Sequence, residues 1–211
     1  MKKVFLIGDS VRQGYDRYVK AALKDTAEVS YPGENSMYSV HVLRWLHEYK
    51  RQYKLPDDLD CIHWNAGLWD TLTLPGVGII TPLEAYKDNI DRICRRMRDL
   101  FPKAVCVFAT STPVIESRFD KSSAIRYNRD IEEYNAAAIE IVKSHGQLVD
   151  DLYSTLIGVP EEFYDGPTHP YTEAGTKILT DAVVKSVCGA LGAEVPKYDF
   201  PGLFARKFLG E

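Results

Sequence analysis

Ser10, Asp165 and His169 are the residues of this chain whose types and settings combine into one chemistry, acyl transfer through an activated serine. A serine hydroxyl is a weak nucleophile until a neighbouring base removes its proton. Histidine does this near neutral pH, and a carboxylate beside it fixes the ring tautomer and supports the imidazolium that forms. Ser10 closes Gly8-Asp9-Ser10, where the apolar run Val4-Phe5-Leu6-Ile7 ends and helical spacing begins at Val11, Tyr15, Tyr18 and Ala22. The carboxyl end of a buried strand meets the amino end of a helix there. Free backbone N–H groups and the positive end of the helix dipole gather at such a junction, the setting that stabilises an oxyanion. On its own the tripeptide reads as a helix N-cap supplied by Asp9 or Ser10, so the base and the acid decide.

Both lie in Tyr164-Asp165-Gly166-Pro167-Thr168-His169-Pro170, a loop bounded by proline and glycine. Of the five histidines, His41 and His47 fall on a predicted helix, His63 inside a predicted buried strand and His145 at a helix end. His169 is the one in an irregular segment at the expected catalytic rim. Asp150 and Asp151 are alternative carboxylates, although adjacent acids at a strand end also serve as helix caps. Two further loops hold groups suited to an oxyanion. In Gly33-Glu34-Asn35-Ser36 the glycine brings a bare N–H close to a ligand and Asn35 adds an amide; a turn glycine with an Asx cap is the competing reading. In Asn65-Ala66-Gly67-Leu68-Trp69-Asp70, Asn65 closes a buried strand, a costly place for an amide without partners. The sequence has no phosphate-cradling glycine loop and no His or Cys spacing suited to a metal, so this chemistry calls for no cofactor and no metal.

The elements that must position these residues alternate. Short apolar strands are predicted at residues 4–7, 27–31, 61–64, 104–109 and 147–150. Helices are predicted after Ser10 and over residues 37–53, with Ser36 as cap. Further helices follow from Thr81-Pro82 to Leu100 and over residues 125–145, 152–157 and 172–191. Residues 71–80 read as irregular. Strands alternating with helices imply right-handed crossovers and a parallel sheet covered on both faces, with the functional crevice outside the carboxyl ends of the strands. The expectation is one α/β domain over residues 1–193, a three-layer α/β/α sandwich on a five-stranded parallel sheet. A tail over residues 194–211, without a period, packs on that domain or on a neighbour through Tyr198, Phe200, Phe204 and Phe208.

Composition narrows the partners. With 45% apolar residues the chain can bury a proper core, and a net charge of −4 without a basic stripe argues against nucleic acid. Cys61, Cys94, Cys106 and Cys188 lie in apolar patterns and read as buried free thiols. No run is long enough for a membrane span. The apolar residues before Asp9 are too few for a signal peptide, which places the chain as given in the cytoplasm. An export signal trimmed from it would leave no trace. Oligomeric state stays open.

Four blocks in order at the expected strand ends, Gly8-Asp9-Ser10, Gly33, Gly67-Leu68-Trp69-Asp70 and Asp165 with His169, give the chain, from about Lys3 to Leu179, a resemblance to the SGNH or GDSL-type hydrolases. These are serine esterases, lipases and acylhydrolases on a flavodoxin-like α/β/α sandwich. The resemblance implies Ser10 as nucleophile, with its own N–H in the oxyanion hole. It implies Gly33 as a second backbone donor, and Asp165 and His169 as acid and base. Trp69 stands where the third block usually carries an amide-donating asparagine; Asn65 or Asn35 would replace it, and a related subgroup favours Asn65. Asp165 and His169 are four apart where the family has three, a difference that one inserted loop residue absorbs. The resulting expectation is an esterase that forms an acyl-enzyme from a small-molecule ester, including an acylated sugar. Asn35 and Trp69 would touch the substrate, and Trp64, Tyr164 and Tyr171 would offer further stacking faces. The alternatives are a lysophospholipase or thioesterase, and a non-catalytic ligand-binding module that kept the fold.

Overall fold

The computed structural model describes residues 1–205. Its central sheet holds β1 (Lys2–Ile7), β2 (Ala27–Ser30), β3 (Cys61–Trp64), β6 (Val105–Ala109) and β7 (Leu148–Asp150) in the order β2-β1-β3-β6-β7, all parallel. Alternation along β1 shows how the sheet is covered. Val4 and Leu6 enter one core with α1 (Ser10–Ala22), α5 (Leu152–Leu156) and α6 (Glu173–Leu191). Phe5 and Ile7 enter the other with α2 (Ser39–Gln52), α3 (Leu83–Leu100) and α4 (Asn128–Ser144). This is the three-layer α/β/α architecture expected of apolar strands that alternate with amphipathic helices.

The chain runs outward from β1 to β2, then returns to place β3 on the other side of β1. The strand order therefore reverses between β1 and β3, and the crevice at such a reversal is where open α/β sheets bind ligands. Ser10 follows β1 and Asn65 follows β3; the Asn65 N–H donates to Ile7 O at 3.1 Å, which joins the two strand ends.

Local departures from the sequence expectations have local causes. The segment expected to be irregular at residues 71–80 contains a minimal antiparallel hairpin, β4 (Thr73–Leu74) and β5 (Gly78–Ile79). Two-residue strands carry no periodicity to detect. Ser36 does not cap α2: Tyr38 occupies the cap, and the Ser36 hydroxyl bonds the Tyr49 hydroxyl at 3.0 Å. Residues 125–127 precede α4, because Thr73 and Ile125 exchange backbone hydrogen bonds that hold this stretch extended. The tail contains a short helix, α7 (Phe200–Ala205), with Pro201 in its first turn, where a missing N–H costs nothing. Phe200 is buried there, and Tyr18 of α1 packs on both Phe200 and Phe204. Phe208 lies outside the described residues. Among the described residues no helix is long and apolar enough to cross a membrane.

Candidate active site

Ser10 is the first residue of α1, and Asp9 is its cap: the Asp9 carboxylate accepts the Val11 N–H at 2.9 Å. With capping assigned to Asp9, the Ser10 hydroxyl is left for another partner. His169 is that partner, with Nε2 at 2.8 Å from Ser10 Oγ. The Ser10 N–H has no acceptor among the described residues, as expected in the first turn of a helix. Tyr171 holds the pair from behind. Its ring stacks on His169 at 4.5 Å between centroids, and its hydroxyl donates to the Ser10 carbonyl. A Cβ on Gly14 would stand 2.3 Å from the Tyr171 ring, so the glycine one turn along α1 makes room for it.

His169 is half-buried, and burial holds its pKa below the ordinary 6.5, with the Arg126 charge adding to the effect. The Asp9 and Asp165 carboxylates pull the other way. The ring is thus neutral near pH 7, the form that accepts a proton from serine. Asp165 faces His169 across an antiparallel bridge, its N–H donating to the His169 carbonyl at 2.7 Å. Residues directly opposite in such a bridge project their side chains to the same face. Gly166, at φ 80°, turns the loop so that four positions span the bridge. The Asp165 carboxylate is exposed and makes no hydrogen bond to the imidazole among the described residues. The two alternative carboxylates are engaged elsewhere. Asp150 bonds buried His63 at 2.9 Å, and Asp151 caps α5 through the Ser154 N–H at 3.0 Å.

Asn65 is locked to Asp9 at both ends of its amide, accepting the Asp9 N–H and donating to the Asp9 carboxylate, each at 3.3 Å. A Cβ on Gly8 would lie 2.0 Å from Asn65 Oδ1, which explains the glycine of the first block. Burial pushes the Asp9 carboxyl upward, against the pull of the Val11 N–H, Arg126 and Asn65. One amide hydrogen of Asn65 is left over. The second loop is organised differently from expectation. Gly33 is exposed and its N–H donates to the Tyr53 hydroxyl at 3.3 Å; Asn35 forms the Asx turn, accepting the Met37 N–H at 2.8 Å. Trp64 is fully buried against Phe108 and bonds Gln147, and buried Tyr164 donates to the Pro113 carbonyl; both belong to the packing. Trp69 is half-buried and meets Tyr38 edge-on at 5.4 Å.

Two arginines escaped the sequence reading. Arg12 is buried, pairs with Asp16 at 2.5 Å and donates to the carbonyls of Pro32, Glu34 and Gly8, tying the loops after β1 and β2 together. Arg126 is about nine-tenths buried, donates through Nε to the Leu68 carbonyl and lies over the Trp69 ring at 5.7 Å. A signal existed for Arg126: a cation just before a helix opposes the dipole, so its position asks for another reason. Asp70 of the third block is structural, accepting the Ser39 N–H and hydroxyl at 2.9 and 2.7 Å to anchor the start of α2.

No family model matches the chain, and no curated protein matches it. Solved structures do. A lipase/acylhydrolase from Enterococcus faecalis superposes with a TM-score of 0.71 at 19% identity, over 94% of this chain and 100% of that one. A GDSL-like lipase from Bacteroides thetaiotaomicron gives 0.69 at 18% identity, over 90% and 89%. The acetyl xylan esterase AlAXEase gives 0.69 at 16% identity, over 88% and 99%. At these identities the likeness is one of fold, and the chain has the fold of the SGNH/GDSL hydrolases.

Proposed function

We propose that this protein is a serine esterase that transfers a short acyl group from an oxygen ester to water. The observation that carries this reading is the 2.8 Å contact between His169 Nε2 and Ser10 Oγ, at a helix start whose first N–H is unclaimed. His169 takes the hydroxyl proton as Ser10 Oγ attacks the ester carbon. The charge that builds on the carbonyl oxygen meets the Ser10 N–H and the spare amide hydrogen of Asn65. When the tetrahedral intermediate collapses, the C–O bond to the alcohol breaks and His169 returns the proton to the departing oxygen. Water then attacks the acyl-Ser10, giving its proton to His169, and the carboxylic acid and free Ser10 are restored. Asp165 supports the imidazolium from the same face of the bridge. Gly33 keeps the role of second backbone donor only if substrate draws its N–H away from Tyr53.

The substrate reading is an acetylated sugar. Trp69 and Tyr38 form a half-buried aromatic wall beside the site, suited to stacking on a pyranose. Acetyl xylan esterases are among the proteins of the same fold. Turnover of p-nitrophenyl acetate and acetylated xylo-oligosaccharides by the wild type, lost in Ser10→Ala by about 10⁴-fold or more, is the expected result. Equal rates for the two proteins would remove the esterase reading.

A further inference from the structure

Arg126 is a buried cation that feels the Asp9 carboxylate but forms no ion pair with it or with any other described residue. The residue is about nine-tenths buried, yet among the described residues its side chain donates one hydrogen bond, from Nε to the Leu68 carbonyl. Among the described residues no carboxylate lies within ion-pair distance of it, and its two terminal nitrogens meet no acceptor. Burying a charge without a partner is costly, and folded chains ordinarily pair it or neutralise it. Here the fold goes out of its way to put the charge in place. The Thr73–Ile125 bridge clamps the neighbouring residue, with backbone bonds of 2.8 and 3.0 Å, and the guanidinium carbon lies over the Trp69 ring at 5.7 Å. The terminal nitrogens are not sealed in. Arg126 helps to line a cavity of about 330 Å³ with Phe119, Lys121, Ile125 and Tyr127. The carboxylate of Glu116, on the same wall, is engaged by the Asn128 N–H at 2.7 Å. Lys121 brings a second positive charge to it.

We propose that Arg126 is a carboxylate-binding residue, so that the preferred ester carries a negatively charged carboxylate besides the bond that is cleaved. A planar guanidinium with its terminal N–H groups unclaimed matches a carboxylate bidentately. Its position fits a group on the substrate and not a remote ion: it is anchored to Leu68 and lies over Trp69, in the loop that begins at Asn65 beside Asp9, and its charge acts in the same sense, reaching Asp9 and His169. The carboxylate can come from the acyl side, as in the half-ester of a dicarboxylic acid, or from the alcohol side, as in an acetylated uronate. This selectivity rests on the esterase reading; the affinity of Arg126 for a carboxylate does not.

Two substrate pairs separate the sources. On the acyl side, p-nitrophenyl hydrogen glutarate is compared with p-nitrophenyl valerate. On the alcohol side, acetylated glucuronate is compared with acetylated glucose. The expected result is a higher kcat/KM for the charged member of one pair, with that ratio falling at least about tenfold in Arg126→Gln and partly kept in Arg126→Lys. The pair that responds identifies the source. Calorimetric titration of the folded proteins with free glutarate and free glucuronate provides a readout that needs no turnover. One of the two should bind wild type and weaken by a similar factor in Arg126→Gln. Absence of a charged preference in both pairs, or an equal fall on charged and neutral esters in Arg126→Gln, would overturn the proposal. If wild type turns over none of the four esters, the esterase reading fails and calorimetry alone decides. Carboxylate binding that is absent, or indifferent to Arg126→Gln, then sinks the carboxylate site. Should Arg126→Gln not fold, Arg126→Lys takes its place, since it keeps the charge but loses the fork.

Discussion

At the scale of single residues, the site is governed by charges that pull His169 in opposite directions. Burial and Arg126 lower its pKa, while Asp9 and Asp165 raise it. A base must be neutral to act, so kcat/KM should rise with pH along a limb whose midpoint lies below 6.5. Removing a charge that lowers the pKa must move that limb up, and removing one that raises it must move the limb down. A pH–rate profile should therefore show the midpoint of Arg126→Gln shifted upward and that of Asp165→Asn shifted downward. Shifts in the opposite sense would contradict the electrostatics. Asp165→Asn should also lower kcat by about 10²-fold with little change in KM, since in the proposed mechanism Asp165 supports the imidazolium and not the bound ester. The meeting of Ser10 with His169 was legible in the sequence because each sits at a break in periodicity, where a polar residue has no packing reason to be. Arg12 and Arg126 were not. A lone arginine on a helix or before one looks like any solvated cation until the carbonyls around it are placed.

At the scale of elements, polar side chains decide how each strand end is joined to the next helix. Asp9 caps α1, Thr172 caps α6 through the Gly175 N–H, and Asp70 holds the start of α2 from across the crevice. Burial pushes the Asp70 carboxyl up to about 6, opposed by its bonds from Ser39. Since this pKa is raised on folding, the folded state binds the proton more tightly, and the contribution is lost as pH rises. The stability of wild type relative to Asp70→Asn should fall by about 2 kcal/mol between roughly pH 4 and 6 and level off above. Urea denaturation across that range measures it; a difference that grows with pH would contradict the assignment. Strands and long helices were legible from their apolar spacing. The β4–β5 hairpin and the extended stretch before α4 were not, because two backbone hydrogen bonds between distant segments leave no local pattern. In the loop after β2 the competing sequence reading, an Asx turn at Asn35, is the one formed, and the Gly33 N–H rests on the Tyr53 hydroxyl, a partner 20 residues away that leaves no local pattern.

At the scale of the whole molecule, the reversal of strand order between β1 and β3 brings Ser10, Asn65 and Asp9 together, and α6 with the loop before it returns His169 to them. The parallel sheet and its two covered faces followed from the alternation of strands and helices, and the site's location followed from the sheet. The terminal helix was hidden because its six residues include Pro201 and Gly202. Phe200→Ala should cost about 3 kcal/mol by emptying the space against Tyr18, with esterase turnover kept at permissive temperature. A thermal melt and a rate assay check both parts. The proposed chemistry stands on Ser10 as a nucleophile activated by His169. Treatment with a fluorophosphonate, followed by peptide mass spectrometry, tests it most directly. Ser10 should be modified in the wild type and little or not at all in His169→Ala. An unmodified Ser10 in the wild type, or equal modification in the two proteins, would contradict it.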